Sequence, residues 1–148
     1  MKKIIVIGSD HAGFEAKKEV KKILDNLGYE YKDVGTYTDE PIDFPLIAKR
    51  AARKILAAHT LGILICGSGE GMQIAANKIN GIRADLCYDE YSAKMAREDN
   101  DANILTLRSR EFEHEKYTEI VKTFLETPFS NEPRHLRRIA EIAELENL

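Results

Sequence analysis

The sequence predicts a single-domain α/β fold: a Rossmann-like three-layer sandwich with a five-stranded parallel sheet and a C-terminal helix. Three observations lead there. Short aliphatic runs recur along the 148 residues, and each is followed by a segment of helical period. The connections between them are short. Residues 3–8, KIIVIG, are continuously apolar rather than alternating, as expected of a strand covered on both faces. Strands that alternate with helices favour a parallel sheet with helices on both sides. No internal repeat, low-complexity stretch or long linker divides the chain. A single domain over 1–148 is long enough to bury a substantial core.

The first strand, 3–8, ends in the turn Gly8-Ser9-Asp10-His11-Ala12-Gly13. Residues 14–27 then carry Phe14, Val20, Ile23, Leu24 and Leu27 at helical spacing with lysines opposite, and Gly28 stops the helix. A weaker strand over 29–34 closes at Gly35-Thr36. After a loop over 38–41, Asp43 is a candidate cap for a helix over about 44–58. Residues 61–65 form the third strand and lead into Cys66 and three glycines, Gly67, Gly69 and Gly71. The helix that follows, about 70–78, offers Met72, Ile74 and Ala75 to the core. Asn80-Gly81 is a turn, 82–86 a fourth strand, 89–97 a helix and 102–107 a fifth strand. A long amphipathic helix is expected over 111–126, with Phe112, Ile120, Val121, Phe124 and Leu125 available to pack. After a proline-containing break, 134–147 form a last helix bearing Leu136, Ile139, Ile142 and Leu145.

Composition narrows the classes of function. A hydrophobic fraction of 43% and a charged fraction of 32% fit a globular protein rather than a disordered one. The net charge of −3 offers no bulk basicity for nucleic acid. Two cysteines, Cys66 and Cys87, are too few for a disulfide framework and lack zinc-site spacing, so a reduced, cytoplasmic setting is expected. The apolar run 4–7 is too short for a signal peptide, and no stretch is long enough to span a membrane. The expected partner is a small molecule, with neither nucleic acid nor membrane.

In a parallel α/β sheet, ligands sit at the carboxyl ends of the strands, so the turns there are the places to look. The first carries Asp10 and His11, which suit sugar hydroxyls or proton handling, and equally a helix cap beside a surface histidine. The third carries Cys66 and the loop Gly67-Ser68-Gly69-Glu70-Gly71. Such a turn gathers backbone N–H groups at a helix N-terminus, where a thiol can have a depressed pKa and act as base or nucleophile. A cysteine closing a buried strand is also a common packing residue. The loop is neither a P-loop, since no Gly-Lys-Ser/Thr follows, nor a dinucleotide fingerprint, since its spacing is G-x-G-x-G. Near the fifth strand lie Asp99, Asn100, Arg108 and Arg110. Arg134 and Arg138, four apart on the last helix, point the same way. Arginines that converge on one pocket would suit a phosphate. His59 and His114 read as surface residues.

Taken in order, GSDHAGFE at 8–15, DVGTY at 33–37, the P-x-x-A-K stretch at 45–49, CGSGEGMQIAANKINGIRA at 66–84, NDAN at 100–103, and TPF followed by RHLRR within 127–138 resemble one family. It is the sugar-phosphate isomerase family of RpiB-type ribose-5-phosphate isomerases and galactose-6-phosphate isomerase subunits. The resemblance implies interconversion of ribose 5-phosphate and ribulose 5-phosphate through a cis-enediolate, without metal or organic cofactor. It makes Cys66 the proton-transfer base and the N–H groups of Gly67, Ser68, Gly69, Glu70 and Gly71 the enediolate hole. It assigns Asp10, His11 and Asn100 to the sugar, and Arg110, Arg134 and Arg138 to the phosphate. It further implies a homodimer, or a tetramer, with each site shared: the base and loop from one chain, Asn100 and the arginines from another.

Two positions depart from the pattern. Many relatives carry a ring-opening histidine where this chain has Asp99, and a glycine where it has Arg108. Asp99 is therefore a candidate for the ring-opening proton transfer, with His11 or solvent as the alternatives for that step. The alternatives are an isomerase of another aldose phosphate, of the allose 6-phosphate or galactose 6-phosphate type, and a non-catalytic sugar-phosphate binding protein.

Overall fold

The computed structural model describes residues 2–148. Five parallel strands, β1 (Ile5–Ser9), β2 (Tyr31–Asp33), β3 (Gly62–Cys66), β4 (Ala84–Leu86) and β5 (Ile104–Arg108), form one sheet in the order β2-β1-β3-β5-β4. The helices are α1 (Phe14–Leu27), α2 (Phe44–Ala58), α3 (Glu70–Asn77), α4 (Glu90–Glu98), α5 (Tyr117–Glu126) and α6 (Pro133–Glu144). The three-layer α/β arrangement read from the sequence is the one the chain adopts.

Side-chain alternation along the strands divides the core in two. Ile5, Ile7, Ile63, Ile65, Leu105 and Leu107 face α1, α4 and α5, meeting Val20, Leu24, Ala96, Ile120 and Phe124. Val6, Leu64, Cys66 and Ile104 face α2 and α3, meeting Ile47, Ala51, Ile55, Met72 and Ala76. Both faces are apolar because both are covered, which is why the strands read as continuous runs rather than alternating ones.

Several local expectations are corrected. Lys17 does not lie on the solvated face of α1. It is 1% exposed, and its ammonium bonds Asp33 at 2.8 Å and the Thr36 carbonyl. Burial holds its pKa below the ordinary lysine value, against the pull of the Asp33 carboxylate. Asp43 occupies the N-cap position of α2 but makes no side-chain capping bond. Ile74 is 63% exposed, whereas Met72 is buried and Ala75 partly so. The helix expected from 111 begins at Tyr117, after a 3₁₀ turn over His114–Lys116. α4 starts with a capping box that pattern reading passed over: Asp89 Oδ1 accepts from the Ser92 N–H at 2.7 Å, and Ser92 Oγ accepts from the Asp89 N–H.

α6 differs from the other helices. Its apolar stripe points outward, with Leu136 50% and Ile142 42% exposed, and Leu145 just beyond its end is 62% exposed. It is moored at its ends. The Ser130 N–H ahead of it donates to the Glu98 carbonyl at 3.1 Å, and Glu146 Oε1 beyond it accepts from the Gly81 N–H at 2.6 Å. Both moorings lie on the side of the sheet where the strands begin. Among the described residues, no helix is long and apolar enough to cross a membrane.

Candidate active site

The strand order places the site. From β1 the chain steps outward to β2, then returns across β1 to β3 on its other side. The turns leaving β1 and β3 therefore diverge and open a crevice between them. Those two turns hold Asp10-His11 and Cys66 with its glycine loop.

Close contacts shape both turns. A methyl group at Gly13 would come within 2.5 Å of the Ile65 carbonyl oxygen, so only glycine lets the β1 turn lie against β3. Asp10 is buried. Its Oδ1 accepts from the Gly13 N–H at 3.0 Å, and its own N–H donates to the Ile65 carbonyl at 3.2 Å. His11 is half-buried, and its Nδ1 accepts from the Ile42 N–H at 3.1 Å, which leaves the Nε2 proton free. It is thus not a loose surface histidine. Gly69 has φ +79, and a Cβ there would meet Leu86 at 2.5 Å, so this glycine is required on both counts.

Cys66 ends β3 as a buried thiol. Its pKa is raised, not depressed. Burial is the largest cause, and the Asp10 carboxylate adds to it. The N–H groups of Met72, Gly69 and Ser68 favour the thiolate but do not outweigh the lost hydration. Cys87, beside Asp85 and more deeply set, is pushed up to about 12 and reads as a packing residue.

The turn after β5 completes this end. The Ser109 N–H donates to the Cys66 carbonyl, and the single Ser109 hydroxyl proton is shared between the carbonyls of Ala12 at 2.9 Å and Cys66 at 3.1 Å, so one residue ties three turns together. His114 Nε2 bonds the Ser109 carbonyl at 2.7 Å, its Nδ1 faces Glu19 at 2.7 Å, and its ring stacks on Tyr117. It braces the site rather than sitting idle on the surface. His59 ends α2 in the left-handed region at φ 48. The Arg110 N–H donates to the Gly67 carbonyl at 3.0 Å, and its guanidinium lies against Gly67. Arg110 is therefore at the glycine loop of its own chain, contrary to the expectation that every phosphate arginine comes from another. Arg108 turns back, its Nε donating to the Arg110 carbonyl at 2.7 Å.

The remaining candidates are elsewhere. Cys66 pairs with Arg108 and Gly62 with Ile104 across β3 and β5, so Asp99 and Asn100, which precede β5, lie beyond the opposite end of the strands. A five-residue strand alone separates the two ends by about 13 Å. Arg83 and Arg97 cage the turn there. Arg83 donates to the carbonyls of Asn100 at 2.9 Å and Asp101 at 2.8 Å, and Arg97 to Asp101 Oδ1 at 2.8 Å and the Ala102 carbonyl at 2.6 Å. Asp101 takes φ 44, and Asn103 locks the strand start to Arg83 and Gly81. Asp99 faces His135 Nε2 on α6 at 3.6 Å. Arg134 and Arg138, either side of His135, are exposed, and Arg134 pairs with Glu132 at 2.8 Å. One chain thus brings together Asp10, His11, Cys66, the glycine loop and Arg110, and holds Asp99, Asn100, Arg134 and Arg138 apart from them.

The chain matches the ribose/galactose isomerase family over residues 5–142. It belongs to that family. The ribose-5-phosphate isomerase B of Escherichia coli is 40% identical over 147 residues, covering 99% of this chain and 97% of its own. The type B ribose 5-phosphate isomerase structure from Trypanosoma brucei superposes with a TM-score of 0.95 at 42% identity, covering 99% of this chain and all of its own. A ribose 5-phosphate isomerase structure from Thermotoga maritima reaches 48% identity and a TM-score of 0.93, over 97% of this chain and 99% of its own. Against that family background, the residues that sequence reading missed are braces. Ser109 and His114 hold the β5 turn, Lys17 pins the 33–36 loop whose Gly35 and Thr36 bond Ser9, and Arg83 and Arg97 hold the 100–102 backbone and Asp101. Their only sequence signal is a polar residue type at a strand end or amid an apolar face.

Proposed function

We propose that the whole chain acts as one isomerase domain, interconverting D-ribose 5-phosphate and D-ribulose 5-phosphate with Cys66 as the base. Family membership supports an aldose–ketose isomerase of sugar phosphates. The observation that carries the mechanism is the Cys66 thiol, set at a strand end with the N–H groups of Ser68, Gly69 and Met72 turned towards it and Asp10 alongside. The thiolate removes the proton from C2 of the open-chain aldose. Negative charge then develops on the enediolate oxygens, where the N–H groups of 67–71 stabilise it, the hydroxyl proton on O2 passes to O1, and the abstracted proton returns to C1. Burial makes the thiolate scarcer at neutral pH but a stronger base when formed.

A complete site in this reading needs a second copy of the chain. Asp99 and Asn100 lie past the far end of the sheet from their own Cys66, and the outward apolar stripe of α6 offers a surface for that copy. A homodimer then supplies Asn100, Arg134 and Arg138 across the interface, with Arg110 at the loop of its own chain, and Asp99 serves furanose ring opening. No metal or organic cofactor is needed, because the step moves only protons. A coupled assay of the purified protein over pentose and hexose phosphates tests the reading. Turnover of ribose 5-phosphate above all others is expected, and preference for a hexose phosphate replaces the substrate assignment.

A further inference from the structure

Asp99 has one ionisable neighbour on α6, and that neighbour is held unusually firmly. His135 is 4% exposed. Its Nδ1 lies 2.6 Å from Ser130 Oγ, which already accepts from the Glu132 N–H at 3.2 Å. A hydroxyl that accepts one N–H can still donate or accept a second bond, but the Asp99 carboxylate beyond the ring holds only acceptors and so places the ring proton on the nitrogen that faces it. Nδ1 then accepts, and the ring proton sits on Nε2, the nitrogen that faces Asp99 Oδ1 at 3.6 Å. Ser130 is itself fastened to α4, its N–H donating to the Glu98 carbonyl. Asp99 ends α4, with its N–H on the Met95 carbonyl. The two partners therefore sit on a common base.

From this we infer that the Ser130–His135 pair is a positioning device for Asp99, a role that rests on Asp99 being the ring-opening group. A lone carboxylate at a helix end rotates freely and presents either oxygen. An Nε2–H held 3.6 Å from Oδ1, just outside hydrogen-bond range, attracts that oxygen electrostatically and leaves Oδ2 for the substrate. In ring opening the carboxylate takes the proton of the anomeric hydroxyl as C1=O forms and the C1–O4 bond breaks. It returns that proton to O4, so no charge or proton is left over. His135 does not touch the sugar. It sets which carboxylate oxygen does.

The test compares ribose 5-phosphate, which is a furanose, with ribulose 5-phosphate, which is acyclic because its phosphate blocks the O5 that would close the ring. The full chain is assayed under conditions where ring opening limits aldose turnover. His135→Leu is expected to lower kcat on ribose 5-phosphate about tenfold, a part of the roughly 10²–10⁴-fold that a general acid–base group itself supplies. It should leave KM and the ribulose 5-phosphate rate within about twofold. His135→Gln, which keeps an N–H donor, should recover most of the loss, and Ser130→Ala should show a weaker form of it. In an Asp99→Asn background, His135→Leu should cost nothing more. Equal losses in both directions, or losses that add in the double variant, overturn the inference by making His135 a general brace of α6. A slowed Asp99→Asn beside an unaffected His135→Leu removes the positioning role and keeps the Asp99 reading. An unaffected Asp99→Asn removes both.

Discussion

The two ends of the sheet are built differently. At the carboxyl end, Cys66, Asp10 and the glycine loop are enclosed by their own chain, and Ser109, His114 and Gly13 hold three turns in one cluster. At the amino end, the Asn100–Asp101 turn is held by a polar cage and Asp99 faces one buried histidine, while Arg134 and Arg138 lie exposed on a helix whose apolar stripe is uncovered. The first end has the means to move a proton and stabilise an oxyanion. In the proposed reading the second holds an anion and acts on a ring oxygen. Neither end completes the other within one chain, because a parallel strand keeps its two ends a fixed length apart.

The comparison breaks most sharply at the thiol. Cys66→Ala removes the only base proposed for the C2 proton, and turnover should fall by about 10³-fold or more, while a phosphorylated ligand still binds in calorimetry. Undiminished turnover would return Cys66 to the packing role that burial alone permits. Arg138→Glu acts at the other end. KM for phosphorylated sugars should rise by about 10² with little change for unphosphorylated ones, since loss of a charge-assisted contact to phosphate is felt only where phosphate is present. An equal effect on both classes removes Arg138 from the phosphate grip.

Mixing variants tests the division itself. Cys66→Ala and Arg138→Glu chains, each defective alone, should regain about a quarter of full activity when refolded together, because half of a random mixture of dimers carries one intact shared site of two. Failure to regain activity would place all the functional residues within one chain. The smallest expected effect is at Asp10. Asp10→Asn keeps an oxygen for the Gly13 N–H but removes the charge that helps raise the Cys66 pKa. The alkaline rise of kcat/KM, which follows thiolate formation, should then move to lower pH by less than about one unit. A shift to higher pH would contradict the sign of that interaction.

Several parts of this molecule were legible in one dimension. Residues 3–8 and 61–65 announce buried parallel strands because sheet faces covered by helices demand apolar residues at every position. The spacing of Gly67, Gly69 and Gly71 after Cys66 announces a tight strand-to-helix turn, and the ordered motifs from 8 to 138 announce the family. These are local signals, and periodicity or a short fixed spacing is enough to carry them. The tertiary structure decided the rest. Lys17 reads as a solvated lysine until the 33–36 loop folds over it, Ile74 as core until α3 is docked, and His114 as a surface residue until its partners arrive from Glu19 and Ser109. The pKa of Cys66 depended on the same docking: the helix N-terminus visible in the sequence favours the thiolate, and the burial and Asp10 charge that outweigh it come from chain far away. Which residues can meet is set by strand order and by the length of a strand, and neither is written in any local stretch of residues.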